Sequence, residues 1–168
     1  MTQKTMTEKD MFLQTWQREF DTTIRVLKAY PPGKEDFKPA DKSRTARDLA
    51  WTFVLETHVG MGATAGKIDF SQPMPPAPAA PMSGIIAMYE KAWRDSYAKV
   101  QAMSEADYQR MMAFPVGPKQ MAEFRAADVL WTMLSDMVHH RGQFSVYLRM
   151  VGAKVPSIYG PTADENWM

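Results

Sequence analysis

Asp136-Met137-Val138-His139-His140-Arg141-Gly142-Gln143 is the stretch on which both the fold and the chemistry turn. It lies within an apolar-periodic run from about Ala127 to Val151. Leu130, Met133, Met137, His140, Phe144, Leu148 and Val151 recur there at steps of three and four, the spacing of one helix face. His140 therefore falls on a stripe where an apolar residue is expected. Asp136 sits one turn earlier, at i−4, and its side chain can reach the same side of the helix. An acid and an imidazole placed together toward a core call for an explanation.

Working outward, three more long helices are expected. Phe12, Trp16, Phe20, Ile24 and Leu27 form an apolar stripe from about Thr7 to Ala29, with Thr5 and Glu8 as a capping box and Tyr30-Pro31-Pro32-Gly33 as the stop. A second helix starts near Ser43 or Thr45, with Asp48 as a box partner. Leu49 and Phe53 mark its core side, and Trp51, Val54, Leu55 and His58 cluster on the other. A helix apolar on both sides is either deeply buried or offers a face to a partner chain. The third helix runs from Ser83, carrying Ile85, Tyr89, Trp93, Val100 and Met103. Ser104 to Phe114 reads as a short extra helix ended by Pro115, and Gly117-Pro118 as a turn. The fourth long helix begins between Lys119 and Ala127 and stops at Gly152, a C′ glycine.

Between helices two and three, Pro73, Pro75, Pro76, Pro78 and Pro81 forbid regular helix or central strand. That segment suits a long, semi-stiff crossover over residues 67–82, which lets the helices it joins lie parallel. No convincing strand alternation is present. The expected fold class is all-α: a four-helix bundle, up-down-down-up, with a long Pro-rich crossover between helices two and three. Residues 1–168 are expected to form one domain, with 152–168 as an irregular C-terminal tail packed on it.

Composition removes several functions. The net charge is +1, so no overall field favours nucleic acid or a membrane surface. There is no cysteine, which excludes disulfides, thiolate chemistry and cysteine-based metal sites. The first ten residues lack the apolar core of a signal peptide, and no apolar run approaches the roughly 18 residues of a membrane span. A cytoplasmic location is the expectation.

Three arrangements make Asp136 and His140 tolerable together. One is a plain hydrogen-bonded pair across a helix turn. Another is a divalent metal held by both residues, with further ligands from a facing helix. The third is an acid/base dyad in which Asp136 orients the imidazole.

The run Val138-His139-His140-Arg141-Gly142-Gln143-Phe144-Ser145-Val146-Tyr147-Leu148-Arg149, followed by Gly152 and Val155-Pro156, resembles the last-helix signature of the DinB-like (YfiT-like) metal-binding four-helix bundles. In that family the last helix supplies two histidines at H-x-x-x-H and helix two a third. His140 matches the second histidine, and Asp136 stands where the first would be. Thr52 occupies the helix-two position, so the resemblance leaves Glu56, one turn on, or His58 to complete the site. His58 is turned away by about 240° on an ideal helix. The resemblance implies a divalent ion, zinc or nickel, with an open position for water or substrate. It also implies a metal-dependent transferase or isomerase that uses a low-molecular-weight thiol, or a hydrolase, acting on a small molecule. Any thiol must come from a cosubstrate. Arg141 and Tyr159 are the candidate substrate-binding residues. The competing expectation is a non-catalytic homodimeric bundle with a degenerate metal site and an interface on helix two.

Overall fold

Threonine and serine caps set the start of several helices in the computed structural model, which describes residues 5–68 and 73–167. Helix α1 spans Glu8–Lys28. Its box is Thr7 with Asp10 rather than Thr5 with Glu8: Thr7 Oγ1 accepts from the Asp10 amide and the Asp10 carboxylate accepts from Thr7 N–H, both at 3.1 Å. Thr45 caps α2, Ala46–Ala65, through the Asp48 amide, and Gly66 ends it with φ +71°. Helix α3 covers Met82–Ala102 after an N-cap Pro81. A short α4, Glu105–Tyr108, is capped by Ser104. Helix α5 runs Ala126–Met150, and Gly152 at φ +76° lets the Ala153 amide close back on Leu148 O at 2.9 Å.

The chain is mostly helical, but the all-α expectation needs correction. The extra helix expected over Ser104 to Phe114 is present only as α4; its second half joins the turn in β1, Met111–Gly117, which pairs antiparallel with β2, Gln120–Arg125, in the stretch where the start of the last helix was left open. Met111 opposes Arg125 and Pro115 opposes Met121, with an irregularity between Pro115 and Gly117. A proline fits because a two-stranded sheet consists entirely of edges. Lys119 turns the corner at φ +58°.

Each long helix neighbours two others: α1 meets α3 and α5, and α2 meets the same two. Phe12, Leu27, Leu49, Phe53, Ile85, Tyr89, Phe144 and Leu148 are buried between them. Each such side chain contributes about 1.5–3 kcal/mol by leaving water. The stripe that α5 buries is Leu130, Leu134, Met137, Arg141, Phe144 and Leu148. That is one residue's rotation from the face expected in its middle, so Arg141 goes inward and Asp136 and His140 move to the margin facing α2.

Residues 69–72 of the anticipated crossover lie outside the described residues. From Pro73 to Pro81 the chain holds neither helix nor strand. The Trp51 indole donates to Pro75 O at 2.9 Å, which lays this segment over the outer face of α2. The tail folds back onto the helices: Arg25 donates to Ser157 O at 2.8 Å, and Arg149 pairs with Asp164 at 2.6 Å. No helix among the described residues is long and apolar enough to cross a membrane.

Candidate metal centre

Helix register explains how three polar side chains meet. Leu49 and Phe53 are buried on α2, and Glu56 follows Phe53 by three residues, on the same flank. On α5, Asp136 and His140 each precede a buried residue, Met137 and Arg141, by one position. Both therefore lean toward α2. His140 Nε2 lies 3.0 Å from Glu56 Oε1 and 3.7 Å from Asp136 Oδ1. One donor atom from each of the three residues falls within 4.8 Å of the others. The side chain of Glu56 is 8% exposed and that of His140 12%, whereas Asp136 is half-exposed at 47%. The pair expected to point into the core thus sits at its edge, open to a cleft.

Glu56 is the anomalous residue. Both its carboxylate oxygens are buried, and neither is met by a hydrogen-bond donor in bonding geometry. The imidazole comes within ion-pair distance without the alignment of a hydrogen bond. Burial pushes the Glu56 carboxyl up to about 7, against the opposing pull of His140 and with a further push from Asp136. Glu56 in turn raises the His140 imidazole above its ordinary value, while burial works the other way.

The far side of the imidazole is also arranged. Gln143 Oε1 lies 3.1 Å from His140 Nδ1, and Gln143 Nε2 lies 2.8 Å from His139 Nε2. With the amide in this orientation, Gln143 donates to His139 and accepts from an Nδ1–H of His140. In the neutral ring the remaining lone pair of His140 is then at Nε2, on the side of Glu56 and Asp136. Metal-ligating histidines are commonly fixed by such a contact on their other nitrogen.

These residues fit a divalent ion. Ligands at about 2.0–2.2 Å from one ion stand roughly 3–4 Å apart, close to the separations here. Two carboxylates and an imidazole suit borderline and hard divalent cations. A cation would also supply what the two Glu56 oxygens lack.

A cavity of about 440 Å³ opens against the three residues. Trp51, Leu55, Val59, Phe114 and Met133 wall it, and residues 74–77 close one side. A second cavity of about 480 Å³ shares His140 and Arg44 with the first.

Other candidates lie elsewhere. His58 is exposed and borders a separate cavity with Met74 and Pro75, outside the three-residue group. Thr52 Oγ1 donates to Asp48 O and accepts from Arg44, and is not part of the group. Arg141 is only 1% exposed and is spent internally. It donates to Glu19 Oε2 and to the Tyr159 hydroxyl, both at 2.7 Å, and to Thr23 Oγ1 at 3.3 Å. Tyr159 donates in turn to Glu19 at 2.8 Å. Arg141 and the Tyr159 hydroxyl are thus engaged with Glu19 and with each other, while Tyr159 as a whole stays 66% exposed. Together they tie the tail to α1 and α5. Sequence reasoning also passed over Gln143, whose i+3 position beside His140 was a usable signal, and Arg44, for which spacing offered none.

The DinB family model matches residues 1–167, and the chain belongs to the DinB family. It is 29% identical over 161 residues to the protein YrdA of Bacillus subtilis (strain 168), covering 94% of this chain and 91% of YrdA. Among solved structures, a DinB-like protein from Bacillus cereus ATCC 10987 superposes with a TM-score of 0.74 at 25% identity, over 88% of this chain and 95% of that one. The DinB-like protein YjoA from Bacillus subtilis gives 0.70 at 15% identity, over 94% and 99%, a likeness of fold.

Proposed function

We propose that this protein is a divalent-metal-dependent enzyme acting on a small molecule held in the cleft beside Glu56, Asp136 and His140. The observation that carries the reading is the buried Glu56 carboxylate, with no donor on either oxygen, facing an imidazole and a second carboxylate. Isolated buried carboxylates are costly, and a cation is the economical remedy. Zinc or nickel is the proposed ion. Three protein ligands leave a position for substrate, the pattern of catalytic rather than structural sites.

A divalent ion held there would lower the pKa of a thiol or water and so furnish a nucleophile near neutral pH. The protein's own part is separate from that chemistry. Gln143 holds the His140 ring and its tautomer. Glu56 and Asp136 supply negative charge that retains a cation. Trp51, Leu55, Val59 and Phe114 give the cleft apolar walls. With no cysteine in the chain, a transferase or isomerase would draw its thiol from a low-molecular-weight cosubstrate. A hydrolase is the sister reaction of the same site.

The neighbour relations of α1, α2, α3 and α5 support an up-down-down-up four-helix bundle with the Pro-rich segment as its crossover. A non-catalytic homodimer with a degenerate metal site draws less support, because residues 74–77 already cover part of the outer face of α2.

Metal content tests the function. Protein purified without a His tag and dialysed against zinc or nickel is expected to hold close to one ion per chain, and His140→Ala to hold almost none. A metal content far below stoichiometric in the wild type would remove the proposal.

A further inference from the structure

Arg44 stands just before the Thr45 cap of α2 and borders both cavities that meet at His140. Six other arginines, among them Arg47, Arg110 and Arg125, meet a carboxylate. Arg44 forms no ion pair among the described residues. A neutral hydroxyl holds it instead: Nη1 donates to Thr52 Oγ1 at 2.8 Å. Asp48, one turn further on and lining the same cavity, is engaged with Thr45 at 2.6 Å. An exposed guanidinium at the mouth of a largely apolar cleft, held by a hydroxyl and in no ion pair, can take an anion in its planar fork.

We propose that Arg44 is the anion-binding residue of this cleft, and that its ligand is a small monocarboxylate with an apolar body. The inference rests on the proposed function and names the substrate class for the same site. The carboxylate pairs with Arg44, and the body lies against Trp51, Leu55, Val59 and Phe114. The far end then reaches Glu56, Asp136 and His140. Charge decides between anions. No lysine and no second arginine lines either cavity, while Asp48, Glu56 and Asp136 all line the one walled by Trp51 and Phe114. A phosphate dianion would face three carboxylates with one guanidinium, whereas a monocarboxylate matches a single planar fork. The cavity volume of about 440 Å³ is within the range of small-molecule sites.

The test is calorimetric titration of the full chain with 3-phenylpropionate and its uncharged counterpart 3-phenylpropan-1-ol, on metal-free and zinc-loaded protein. The acid is expected to bind about tenfold or more tightly than the alcohol, the worth of one charged hydrogen-bonded contact. Arg44→Gln should erase that preference and leave alcohol binding unchanged, and Arg44→Lys should restore part of it. Thr52→Val, which releases the guanidinium, should weaken the acid severalfold, and Arg94→Gln on α3 should change nothing. Equal binding of acid and alcohol, or no binding of either, overturns the proposal. So does acid binding that vanishes with the metal but survives Arg44→Gln, since the carboxylate then sits on the ion. An Arg44-dependent preference in a protein that takes up no metal sustains this site while removing the metal reading. Stoichiometric metal with no Arg44 effect does the reverse.

Discussion

Replacing Glu56 by glutamine separates what its charge costs the metal-free protein from what it contributes to holding a cation. A carboxyl raised from 4.5 to about 7 by burial lowers folding stability by roughly 3 kcal/mol when it ionises. Above pH 7 the folded and unfolded chains both carry the charge, and the whole cost is felt. Between about 7 and 4.5 the folded chain keeps a proton that the unfolded chain has released, so the cost shrinks as pH falls. Below 4.5 it is gone. Glutamine preserves the shape without the charge, but leaves an amide with about 1–3 kcal/mol of unmet hydrogen bonding. The metal-free Glu56→Gln protein should therefore be more stable than wild type by about 1–2 kcal/mol near pH 8. For a chain of this length that is roughly 3–6 °C in Tm. Near pH 4 the gain should disappear or reverse. Saturating zinc should raise the Tm of the wild type and leave the variant nearly unchanged, crossing their order. Thermal denaturation followed by circular dichroism, with chelator and with zinc, reads all four conditions. A variant less stable than wild type at pH 8 and equally stabilised by zinc would refute the reasoning, because Glu56 would then be satisfied by His140 alone.

Other outcomes follow from the same contacts. Gln143→Leu removes the contact on His140 Nδ1 and should weaken metal binding by about 10–100-fold with the fold intact, measured by competition with a chromophoric chelator. Nitrogen NMR of the imidazole should show the Nδ1–H tautomer in wild type and lose that preference in the variant. Arg141→Met takes from the buried Glu19 its closest cation, leaving it the Tyr159 hydroxyl and the exposed Arg18, and should cost about 3 kcal/mol by denaturant unfolding, most of it recovered in the Glu19→Met, Arg141→Leu double variant. Burial pushes the Glu19 carboxyl up, yet Arg141 and Tyr159 outweigh it and hold it below its ordinary 4.5. Its contribution is thus present above pH 4.5 and lost as the pH falls through the depressed value, which an acid titration of wild type against the double variant should reveal.

Helix positions were legible in the sequence because caps and apolar spacing are local properties. Thr45, Ser104 and Gly152 sit where those signals put them. The hairpin was not legible. Met111, Met112 and Ala113 favour helix, and Pro115 argues against an interior strand, yet a two-stranded ribbon has no interior. Asp136 and His140 declared themselves by i,i+4 spacing, whereas Glu56 came into view, beside His58, only through the family resemblance. Arg141 did not, because a stripe of steps of three and four admits two neighbouring faces. Only the partner on α1 decides between them, and Glu19 lies 122 residues away in sequence. Long-range charge pairing leaves no periodic trace.

The hydrogen bond from the Trp51 indole to Pro75 makes a wall of the pocket out of a connector rather than a helix. Connectors tolerate sequence change far better than packed helices do, and prolines in this one restrict its conformations before any ligand arrives. Two relatives could therefore share the same ion-holding side chains and differ in what they accept through substitutions near residue 75 alone. Selectivity and scaffold would then evolve on separate pieces of chain.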